Sequence, residues 1–121
     1  VDDWQMQCCG DPFDIGSTVR WNLVEPDVEW LSAVLGPELA SHVTYGEEHH
    51  GRESRIATGL VRRIRAVHYQ TAPRPDGPPN HHYPVSGSAR LRVVAAADGW
   101  DEPFEGVPFG GYLVDLDVVE N

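Results

Sequence analysis

The 121-residue chain predicts a mainly β domain with one or two short helices, a small antiparallel barrel or rolled sheet of SH3-like or OB-like class. Three observations carry this expectation. Apolar and polar residues alternate over 4–8, 18–24, 89–95 and 112–119, the period of strands that bury one face. The 12 glycines and 10 prolines supply many turns and argue against a helical bundle. A single short stretch, 26–35, has clear helical spacing. The length suits one domain, residues 1–121, which needs no metal or disulfide to form a core.

In chain order, Trp4, Met6 and Cys8 alternate with Gln5 and Gln7 and predict a first strand, with turn chemistry at Gly10, Asp11 and Pro12. Val19, Trp21 and Leu23 form one face of a second strand, so 3–24 reads as a hairpin. Pro26 then suits the first turn of a helix, and Asp27 and Glu29 suit its positive end. Val28, Leu31, Val34 and Leu35 make its apolar stripe, and Gly36-Pro37 ends it. A further helical turn fits 37–42. The polar run 45–54 reads as an exposed loop.

The longest strand is expected at 55–69, with Leu60, Ile64 and Ala66 on one face and Val61, Val67 and Tyr69 on the other; Gly59 invites a bend. Four prolines between 70 and 83 argue against regular structure there. The next strand, 89–95, points Leu91 and Val93 inward and Arg90 and Arg92 outward. Asp98-Gly99 is a turn signal, and a last strand at 112–119 follows. The expected core is Trp4, Met6, Val19, Trp21, Leu23, Leu31, Leu35, Leu60, Ile64, Leu91, Val93, Val114 and Leu116.

Charge narrows the function classes. Nineteen acidic residues face nine basic ones, a formal net charge of −10, and every basic residue is arginine. Such a chain repels a phosphate backbone at long range, which disfavours general nucleic-acid binding. Lack of lysine, beside abundant Ala, Gly, Pro and Arg, suggests a GC-rich genome. No run approaches the ~18–20 apolar residues of a membrane helix, and no leader is read. The start at Val1 rather than Met suggests that native N-terminal residues are missing. Two adjacent cysteines make no secreted disulfide framework, so a reducing cytoplasm is the expected compartment.

Cys8, Cys9, His49 and His50 are the candidate ligands for a metal, zinc being the cofactor they would suit. Strand periodicity sends Cys8 and Cys9 to opposite faces, however, and no Cys-x-x-Cys or helical His pair is present, so the expectation is no cofactor. Cys9 with a histidine is the thiol alternative. Glu47, Glu48, His49 and His50, or Asp115 and Asp117, are acid–base candidates, although such patterns are usually solvated surface. Arg62, Arg63, Arg65, Arg90 and Arg92 are the candidate binding residues, a stripe able to meet phosphate or an acidic partner. Pairing with Asp115 and Asp117 across strands is the plainer expectation for them.

Trp4-x-x-x-Cys8-Cys9-Gly10-x-Pro12-Phe13, Ile15-Gly16-x-x-Val19-x-Trp21, Glu47-Glu48-His49-His50, Gly99-Trp100 and Gly111-Tyr112-Leu113-Val114 together resemble an uncharacterised family of small actinobacterial proteins. The resemblance spans nearly the whole chain and implies no activity or cofactor. The leading expectation is a non-enzymatic binding or regulatory module acting on a protein partner. The alternatives are a small metal- or thiol-dependent enzyme using Cys9 and loop histidines, and nucleic-acid or phosphate binding through the arginine stripe.

Overall fold

The computed structural model describes residues 1–2, 6, 11–47 and 55–119. Its elements are β1 (Phe13–Asp14), β2 (Thr18–Val24), α1 (Val28–Leu35), α2 (Pro37–Ala40), β3 (Gly46–Glu47), β4 (Arg55–His68), β5 (Thr71–Ala72), β6 (Tyr83–Pro84), β7 (Arg90–Val94), β8 (Ala96–Ala97) and β9 (Phe109–Val119). The ladders are antiparallel, as expected, and the described strands form a rolled sheet rather than a closed barrel. Among the described residues, no helix is long and apolar enough to cross a membrane.

β4 is the spine of the sheet. Its first half pairs with β2, from Thr18 opposite Leu60 to Leu23 opposite Arg55. Its second half pairs on the same edge with β7, from Ile64 opposite Val94 to His68 opposite Arg90. β9 runs along the other edge, from Thr58 opposite Val119 to His68 opposite Phe109. β1 and β8 make a separate two-residue ladder, Phe13 opposite Ala97.

A bulge corrects the expected faces of β4. The β9 register shifts between Val61 and Arg63, which inserts one residue and turns both Arg62 and Arg63 outward. Val61 therefore joins Ile64, Ala66 and His68 in the core, and Leu60 lies on the opposite face. β7 is also corrected. Arg92 pairs with Ala66 and Val94 with Ile64, so these two share the core face. Leu91 and Val93, expected inside, are exposed.

The expected first strand of the N-terminal hairpin lies outside the described residues, apart from Met6. Met6 is helical, its N–H donating to Asp2 O at 3.3 Å, and β2 pairs with β3 and β4. Met6 still reaches the core. Trp4, Cys8 and Cys9 lie outside the described residues.

α1 begins two residues later than expected because Asp27 is its cap, with Oδ1 accepting the Trp30 N–H at 3.1 Å. It buries Val34 and leaves Val28 exposed. The proline-rich segment is more ordered than its composition implies. β5 and β6 pinch it closed, and the Arg74 guanidinium lies 4.1 Å above the Tyr83 ring.

Met6, Phe13, Val61, Ile64, Ala66, Ala97 and Tyr112 form the central core, and Val19, Trp21, Val94, Val114 and Leu116 pack against it. Phe13 sits edge-on to Trp21, with ring centroids 5.1 Å apart. Aromatic pairs of this geometry add about 0.5–1.5 kcal/mol beyond the area they bury.

Candidate functional site

The segment joining β8 to β9 builds the most distinctive site. Asp98 Oδ1 accepts the Trp100 N–H at 2.9 Å, closing an Asx turn. Gly99, at φ 88°, supplies the left-handed residue that the turn requires. The Gly99 N–H donates to the Tyr112 hydroxyl oxygen at 3.0 Å, which ties the turn to β9. That hydroxyl donates in turn to Asp101 Oδ1, and Arg92 Nη2 donates to Asp101 Oδ2 at 3.2 Å. Tyr112, Asp101 and Arg92 thus fasten the turn to both β7 and β9.

Arg92 and Asp101 of this network also line an open cleft of about 370 Å³, together with Pro12, Asp14, Ala96, Ala97, Asp98, Trp100 and Glu102. Four carboxylates meet one guanidinium there, and Asp101 is the carboxylate that this guanidinium engages. Trp100 is 65% exposed although its backbone is hydrogen-bonded into the turn. An indole held in water by a fixed turn is an apolar surface ready for a ligand. With acidic neighbours, it favours a cation.

Behind the cleft, His68 is fully buried between Phe104 and Phe109. A tight turn with Glu105 and Gly106 at positive φ brings Phe104 and Val107 into mutual hydrogen bonds. It also presents the Val107 carbonyl to His68 Nδ1 at 3.2 Å. A carbonyl can only accept, so Nδ1 carries the proton. Burial pushes the His68 pKa below its usual value; the Val107 bond opposes that, Arg92 reinforces it and Asp101 opposes it. The Tyr112 pKa is pushed up, first by burial and then by the bond to Asp101. Neither ring lines the cleft, so the two hold its walls rather than face a ligand.

A family model for a family of unknown function (DUF6578) matches residues 1–118. The chain belongs to that family. No curated protein and no solved structure matches it.

In this DUF6578 chain, the five candidate arginines are divided between two faces. Arg62 and Arg63 lie on the open face of the sheet with Asp117 and Asp115 as partners, and Arg65 reaches Asp115 at 3.6 Å. Arg92 is on the core face beside Asp101. Arg90 donates to the carbonyls of Gly87 and Ala89. The pairs of Arg62 and Arg63 are roughly half exposed or more, so each is worth under about 1 kcal/mol.

The candidate metal ligands Cys8, Cys9, His49 and His50, together with Glu48, lie outside the described residues. Glu47 is buried in β3. Among the described residues, no three His, Cys, Asp or Glu side chains converge as a metal site. Nothing in the spacing of Trp100, Asp101 and Tyr112 marks them as a unit in the sequence. The Asp98-Gly99 turn signal was the trace of them in the sequence.

Proposed function

We propose that this protein is a non-enzymatic binding module of the cytoplasm, of bacterial and actinobacterial origin, that uses the Trp100 cleft to receive a basic side chain of a partner protein. The observation that carries the reading is Trp100, 65% exposed on a turn locked by Asp98 and Tyr112. A guanidinium or ammonium resting on the indole would gain cation–π attraction, and Asp14, Asp98 and Glu102 supply opposite charge around it. The lysine-free, arginine-containing composition supports the assignment of origin.

Calorimetric titration with an arginine-rich synthetic peptide tests the reading. The protein is expected to bind, and Trp100→Ala to weaken binding about tenfold, equivalent to about 1.4 kcal/mol. Equal affinities for the two proteins would overturn it.

A further inference from the structure

The face of the sheet opposite the core has a composition that the cleft does not explain. The registers place Val93, Arg65 and Leu113 in one row across β7, β4 and β9. Arg63 and Asp115 form the next row, then Thr18, Leu60 and Asp117, then Arg20, Thr58 and Val119. Ile56 ends the face opposite Asn22. Exposed apolar side chains thus stand at both ends: Val93, 66% exposed, at one, and Ile56 and Val119, 44% and 49% exposed, at the other.

Between them, and reaching into both end rows, lies a charged band of the opposite sign to the molecule. Arg20, Arg62, Arg63 and Arg65 face Asp115 and Asp117, four positive groups against two negative ones, on a chain of net charge −10. Arg20 is exposed and has no carboxylate partner among the described residues. Arg65 is largely covered, and its Nε is a buried donor without a hydrogen bond. Apolar side chains adjoin the band at both ends, and Thr18, Thr58 and Asn22 are the uncharged polar members of the face. From Ile56 to the row of Val93, the face runs about 30 Å along β4, at roughly 3.3 Å per residue. That matches about 20 residues of helix at 1.5 Å per residue.

We infer that this face is a second interaction surface, which docks an amphipathic helical segment of a partner protein carrying acidic residues at its centre and apolar residues at its ends. Arg62 and Arg63 meet the acidic centre, Arg20 and Arg65 reach it from the end rows, and the apolar ends cover Val93 on one side and Ile56 and Val119 on the other. Charge complementarity selects the partner: most acidic surfaces would be repelled by this molecule except at this face. A nucleic acid would also meet the arginines, but it has no use for the aliphatic ends and would feel the surrounding negative field. The surface is separate from the Trp100 cleft, so failure of the cleft reading leaves it standing.

The probe is a fluorescein-labelled 20-residue helical peptide with central glutamates and leucine-rich ends, followed by anisotropy at low salt. Arg20→Glu and Val93→Asp, both at exposed positions and checked for an unchanged far-UV spectrum, are each expected to weaken binding at least tenfold. Trp100→Ala is expected to stay within twofold of the parent protein. The inference is overturned if the peptide does not bind, if either open-face substitution leaves its affinity unchanged, or if Trp100→Ala weakens it as much as they do. It is also overturned if a 20-nucleotide oligo-thymidylate binds more tightly than the peptide.

Discussion

Two buried side chains, Tyr112 and His68, set the character of the cleft wall. The Tyr112 hydroxyl both donates to Asp101 and accepts from Gly99, so Tyr112→Phe removes two bonds at once. A loss of about 1–3 kcal/mol in denaturant unfolding is expected; a loss below about 0.5 kcal/mol would show that the network holds little. His68 answers to pH. Burial first of all lowers its folded pKa below the unfolded value of about 6.5. The unfolded chain therefore takes up the proton first, and the contribution of neutral His68 is complete above that value and declines as pH falls through the acid side of it. His68→Phe, which cannot titrate, is expected to unfold with a shallower decline between pH 7 and pH 5.5. Parallel declines in the two proteins would refute this account.

The elements show why some faces were legible in the sequence and others were not. β2 reads correctly because Val19, Trp21 and Leu23 pack toward the core while Thr18 and Arg20 face water. β7 has the same alternation and reads backwards. Arg92 can occupy the core face because its stem packs inward while its head meets Asp101 and lies 5.7 Å from the Phe104 ring centre. No pattern within five residues reveals a carboxylate supplied from a later turn. In β4 the inserted residue reverses the parity between Val61 and Ile64, and a period of two cannot reveal where such a shift falls. The register of β7 can be tested directly. Val93→Thr is expected to change stability by less than about 0.5 kcal/mol, because the side chain already meets water. Val94→Thr places a hydroxyl against the core and is expected to cost about 1–3 kcal/mol. The reverse order would restore the outline read from the sequence.

At the scale of the whole molecule, the fold class and the helix were legible, since alternation and caps are local signals. The cleft was not, because Arg92, Asp101 and Tyr112 belong to three separate segments joined only by folding. The charge of −10 also acts at this scale. Self-repulsion among the carboxylates outweighs the few exposed ion pairs, so the thermal midpoint is expected to rise from 20 mM to 500 mM sodium chloride as the repulsion is screened. A fall would mean that the Arg–Asp pairs carry more of the stability than their exposure implies. The position of β4 has a temporal consequence too. Its partners β2 and β9 stand far before and far after it in the chain, and Val1 and Tyr112 exchange two backbone hydrogen bonds. During synthesis, one long edge of β4 therefore stays open until β9 leaves the ribosome. The tyrosine that fastens the cleft arrives on that same strand, so a nascent chain cannot display a finished binding site before its sheet is complete.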